Sequence, residues 1–87
     1  MKYIIILSSE PSQNDVDPEL VEAHESFLDF LNSQGKLFAS GPFMNRPGGM
    51  IILNADSMQE AQAIAQEFPL IRNKLRQYEI LEWKQQI

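Results

Sequence analysis

Apolar residues fall in short continuous runs and in stretches of helical spacing, and the two kinds alternate along the chain. Lys2-Tyr3-Ile4-Ile5-Ile6-Leu7 is rich in β-branched residues and bounded by Ser8, Ser9 and Pro11. Both parities are apolar, so it reads as a strand buried on both faces. Ser8 to Val16, mostly Ser, Pro, Gln, Asn and Asp, reads as a loop. Asp17-Pro18 opens a helix, with Asp as the cap and Pro at the first helical position. Glu19 and Glu22 favour the positive end of its dipole. Leu20, Val21, His24, Phe27, Leu28 and Leu31 share one face, and Gly35 stops the helix.

Lys36 to Gly41 reads as a second strand and Met50 to Leu53 as a third. The turn-rich segment between them, Pro42 to Gly49, is too short for a crossover helix, so they form a hairpin. Ser57 and Glu60 make a capping box for a second helix carrying Ala61, Ile64, Ala65 and Phe68 at helical spacing. Pro69 stops that helix or lies just beyond it. Leu70 to Leu75 fits either a turn of helix or a loop. Gln77 to Lys84 reads as the last strand.

The order β-α-β-β-α-β is the ferredoxin-like arrangement: α+β, a four-stranded antiparallel sheet with two helices on one face. Strands one and three are central in it. Both are apolar at both parities, Tyr3, Ile5 and Leu7 with Ile4 and Ile6, and Met50 and Ile52 with Ile51 and Leu53. No third helix is foreseen to cover the second face. A second copy of the sheet is the simplest cover, which predicts a face-to-face homodimer with an outward charge at Ile51 or Ile52 breaking it.

Eighty-seven residues make one small domain, 1–87, which gains from oligomerisation. At 44% hydrophobic and 22% charged the chain reads as soluble and globular. It has no cysteine, which excludes disulfides and thiolate chemistry. A net charge of -5, from 12 acids against 7 bases, argues against nucleic-acid binding. No run is long enough to span a membrane and no signal peptide is visible, so the expected location is cytoplasmic.

His24 is the single histidine and sits where a leucine would fit. It reads either as a core histidine or as a general acid/base, since imidazole titrates near neutral pH. The zinc motif H-E-x-x-H is absent, because Leu28 stands at its fifth position. No metal or cofactor is expected. Ser8, Ser9 and Ser40 lack a nucleophile elbow and read as turn or pocket-lining residues. Gly48-Gly49 lacks a phosphate-cradle pattern, and Arg46 beside it could face an anionic ligand. The third strand offers no aromatic for stacking RNA bases.

These features together resemble the YCII-related family, of the dimeric α+β barrel class, nearly end to end. The resemblance rests on the apolar first strand, His24 in H-x-x-F-L-x-x-L, Gly35-Lys36-Leu37, Ser40-Gly41-Pro42, Gly49-Met50-Ile51-Ile52, Ser57 to Ala61, and a last strand ending near Glu82-Trp83. It implies a His-Asp pair and, in some members, dehydrochlorination of a chlorinated aromatic diol. A related barrel family contains muconolactone isomerase. The family pattern has Asp-Pro at the end of helix two; here the stretch is Gln66-Glu67-Phe68-Pro69-Leu70. Aligning the prolines puts Phe68 at the aspartate position, with Glu67 about 100° away around a helix. Two readings follow. One is a lyase or isomerase for a cyclic metabolite, using His24 with Glu67 as a partner and Ser9, Ser40, Arg46 and Phe68 lining its pocket. The other is a non-catalytic barrel that binds a small molecule or a protein partner.

Overall fold

In the computed structural model, which describes residues 1–8, 17–74 and 76–87, the order is β1 (Lys2–Ser8), α1 (Pro18–Ser33), β2 (Leu37–Pro42), β3 (Gly49–Asn54), α2 (Met58–Ala65), α3 (Pro69–Arg72) and β4 (Gln77–Trp83). The strands form one antiparallel sheet in the order β2-β3-β1-β4. The architecture is the expected α+β arrangement with one addition, the short helix α3. It accounts for Leu70 to Arg72 in the ambiguous stretch; Leu75 lies outside the described residues.

β1 is central, with Ile5 opposite Ile51 of β3 and Ile80 of β4. One face of the sheet carries Tyr3, Ile5, Leu7, Ile51 and Leu53. These form a single core with Leu31 of α1, Ala61 and Ala65 of α2, Phe68 just before α3 and Ile71 within it. The helices therefore cover one side only. The other face carries Ile4, paired with Ile52 and Leu81, and Ile6, paired with Met50. Ile52, not Ile51, is thus the outward position of β3. β2 has a register shift between Leu37 and Ala39. Phe38 is exposed there, and the Lys2 ammonium lies 4.6 Å from its ring centroid.

Local signals set the helix ends. The Asp17 carboxylate accepts the Glu19 N–H at 2.9 Å, with Pro18 following as the first helical residue. Gly35, at φ 74°, closes α1: its N–H reaches Asn32 O and the Lys36 N–H reaches Leu31 O, the paired bonds of a Schellman stop. Ser57 Oγ accepts the Glu60 N–H at 3.1 Å. The Glu60 carboxylate reaches back to the Asp56 N–H, one residue upstream of the reciprocal capping-box bond. α2 ends at Ala65, earlier than the apolar spacing through Phe68 suggests. The residue before a proline avoids the helical region, and Phe68 is extended at φ -65° and ψ 127°.

The β2–β3 hairpin depends on Gly48. Its φ is 105°, and a Cβ there would collide with the Leu7 carbonyl oxygen of β1. Both the backbone conformation and the space exclude a side chain. Gly48→Ala is expected to cost about 2 kcal/mol or more, because backbone strain adds to the clash. Urea unfolding of the two proteins side by side measures it.

Candidate functional site at His24

The α1 stripe aims His24, Phe27, Leu28 and Leu31 at the interior, while Val21 is exposed. His24 is half-buried and meets Phe68, their ring centroids 5.1 Å apart and tilted by 44°. Phe68 is fully buried and meets Phe27 edge-on at 4.8 Å. Pro69 explains this placement. It holds Phe68 extended, so the phenyl turns inward at the α2–α3 break while the Phe68 carbonyl accepts the Arg72 N–H at 2.8 Å.

The imidazole Nδ1 is buried and has no hydrogen-bond partner among the described residues. Burial lowers the His24 pKa below the usual histidine value; nearby Glu25 opposes this and Arg76 adds to it. The neutral ring is therefore favoured. Sequence reasoning does not single out Arg76. Its position follows from where α3 ends, with its N–H bonded to Leu70 O at 3.1 Å, and the Leu70 to Leu75 stretch does not reveal that end.

Of the other expected site residues, Glu67, Ser40 and Arg46 do not converge on the ring. Glu67 is 63% exposed and its carboxylate lies 4.0 Å from the Arg72 guanidinium, itself 70% exposed. That pair is a weak surface contact. Ser40, in edge strand β2, is exposed and lines a shallow cavity of about 250 Å³ with Gly41, Phe43 and Met50. Arg46 sits in the exposed β2–β3 connection, 5.5 Å from the Phe43 ring. Ser9 lies outside the described residues. Among the described residues, no group of His, Asp or Glu is arranged to hold a metal, and no helix is long and apolar enough to cross a membrane.

A general base works best when a third group fixes its tautomer and stabilises its charged form. Here the ring has an apolar neighbour in that place. Residues 1–84 match the YCII-related domain. The chain belongs to the YCII-related family. The uncharacterised protein YjpA of Bacillus subtilis is 38% identical over 66 residues, 76% of this chain and 78% of that protein. Among solved structures the fold is similar to 5-chloro-2-hydroxyhydroquinone dehydrochlorinase of Burkholderia phenoliruptrix in complex with 2,5-dihydroxybenzoquinone. That TM-score is 0.82 at 21% identity, over 97% of this chain and 94% of the other. Muconolactone isomerase gives 0.79 at 13% identity, over 99% and 91%. At these identities the likeness is one of fold.

In this YCII-related chain, the residue before Pro69 is the one that faces the imidazole. Its burial also has a consequence in acid. A histidine whose folded pKa is depressed binds its proton more readily in the unfolded chain. Stability should therefore fall as pH drops from about 7.5 through the ordinary histidine value near 6.5. His24→Leu should flatten that part of the profile. Urea unfolding at about pH 7.5 and about pH 5.5 checks both proteins; an unchanged slope in the variant counts against the assignment.

Proposed function

We propose that this chain is a non-catalytic member of the YCII-related family, a homodimeric barrel that binds a small cyclic molecule. The observation that carries the reading is the Phe68 ring packed on the His24 imidazole at 5.1 Å. A phenyl group cannot orient the ring by accepting its N–H, nor stabilise an imidazolium with an opposite charge. Glu67, the alternative carboxylate, faces Arg72 instead. The lyase or isomerase reading needs a carboxylate hydrogen-bonded to the ring, and among the described residues Nδ1 has no such partner, Glu25 acting on it only through its charge. The fold neighbours act on or hold small cyclic compounds by their names, which supports a ligand of that size.

Turnover is the direct test. The protein as it stands should leave 5-chloro-2-hydroxyhydroquinone unchanged at concentrations where the dehydrochlorinase converts it. Conversion abolished by His24→Ala would overturn the non-catalytic reading. Phe68→Asp should raise the His24 pKa, read by NMR titration of the one histidine, whereas Phe68→Leu should leave it depressed. Such a core change costs about 3–5 kcal/mol, so the same spectra must show the folded state.

The uncovered face of the sheet supports the dimer reading. On the face that no described helix covers, Ile4, Ile6, Met50, Phe38 and Leu81 are wholly or partly exposed and Ile52 is buried. Sheet-on-sheet packing would bury that face. Light scattering after size exclusion should give twice the 10.0 kDa chain mass. Ile52→Asp should reduce this to the monomer or unfold the protein, since a buried unpaired charge is costly. A wild-type monomer at micromolar concentration would defeat the dimer.

A further inference from the structure

We propose that two copies of this chain pack with their β1 strands running in opposite directions, Lys2 of each copy meeting Glu79 of the other. This rests on the dimer reading and gives it an axis and a specific pair of contacts. Which side chains share the uncovered face follows from the strand register. Ile4 and Ile6 are on it, so Lys2 is too, and Glu79 joins them by pairing with Ile6. Among the described strand residues of this face, Lys2 and Glu79 are the only charged ones; β2 carries no charge at all.

The two charges are placed symmetrically about an apolar pair. Ile4 pairs with Leu81; Lys2 lies two residues before Ile4 on β1, and Glu79 two residues before Leu81 on the antiparallel β4. The midpoint between the charges therefore falls on the Ile4–Leu81 pair, with Ile52 on the other side of Ile4. Strand rise and spacing put Lys2 and Glu79 about 14 Å apart, too far to meet within one chain. Neither has an opposite charge beside it among the described residues. The Lys2 ammonium rests on the Phe38 ring instead, and Glu79 is exposed.

A two-fold dimer of sheets packed face to face has its axis in the plane between them. With the axis along β1, each end of the face meets the same end of the second copy. Lys2 then falls against Lys2, and Glu79 against Glu79. With the axis across β1 the ends are exchanged, and each Lys2 meets a Glu79. Two-fold symmetry makes that pair twice. Like charges set together across an interface are costly, so the charges select the exchanged arrangement. Its axis passes through the Ile4–Leu81 pair, which lays the apolar middle of one sheet on that of the other. Glu79 is one strand over from Lys2, so the axis is tilted by about 20°. The strands of the two sheets then cross at about 40°, near the roughly 30° of aligned sheets.

The test is sedimentation of the intact chain at low salt, with Lys2→Glu and Glu79→Lys. Each alone should weaken the dimer about tenfold, because each sets like charges together twice. Mixed in equal amounts, the two variants should form a heterodimer about as tight as the wild-type dimer, visible by native mass spectrometry. The double variant Lys2→Glu/Glu79→Lys should dimerise like the wild type. High salt should shrink all these differences. The chain has no cysteine, so introduced thiols report the arrangement directly. Lys2→Cys/Glu79→Cys should oxidise to a linked dimer, whereas Lys2→Cys alone should stay unlinked. Ready linking of Lys2→Cys alone, single charge variants as tight as the wild type, or no recovery on mixing overturns the pairing and leaves the dimer reading standing. A wild-type monomer at micromolar concentration overturns both.

Discussion

β1 has to be satisfied on both edges and covered on both faces, and much of the fold follows from that. Its backbone pairs with β3 on one side and β4 on the other. Its side chains alternate, so Tyr3, Ile5 and Leu7 enter the helix-covered core while Ile4 and Ile6 face the opposite way. The helices can reach only one of these faces. α2 sits close on the sheet because its inward residues are small, Ala61 and Ala65, both fully buried. α1 docks through larger groups, Leu31 and Phe27, and leans on α3.

The break between α2 and α3 has the sharpest chemical effect. Had α2 continued, position 68 would have been one more residue on a helical stripe. Pro69 prevents this and fixes an extended residue just before it. Whatever stands at 68 is delivered to His24. A carboxylate would meet the imidazole as an ion-pair partner. Phe68 instead completes an aromatic chain from His24 through Phe27 to Phe30. One substitution at a conformationally fixed position separates a polar site from an apolar one.

The sheet, its order and the cover on one face are legible in the sequence because they depend on side-chain parity and loop length. The caps at Asp17, Gly35 and Ser57 are legible because each satisfies backbone groups within a few residues. Aligning the prolines puts Phe68 opposite His24, and in the structure the two rings lie 5.1 Å apart. What could not be read is what depends on packing between distant segments. Parity alone does not say that Ile52 rather than Ile51 faces outward, since both neighbours are apolar. α3 is a single turn, too short to show a period, so the influence of Arg76 on the imidazole could not be foreseen.

The neutral imidazole and the phenyl ring form a consistent pair on energetic grounds. A carboxylate buried at 68 would need a charged imidazole beside it, and the two would stand or fall together. With Phe68 in place, that charge has no partner on the ring, and burial favours the neutral form. What remains against the arrangement is Nδ1, buried without a hydrogen bond among the described residues. Such a group costs about 1–3 kcal/mol. The apolar contact of the half-buried ring returns less than a fully buried apolar side chain, which gives about 1.5–3 kcal/mol. His24 thus adds little net stability at neutral pH, and less in acid. Leucine would fill the same space without the unpaired nitrogen, so packing alone does not explain an imidazole at position 24.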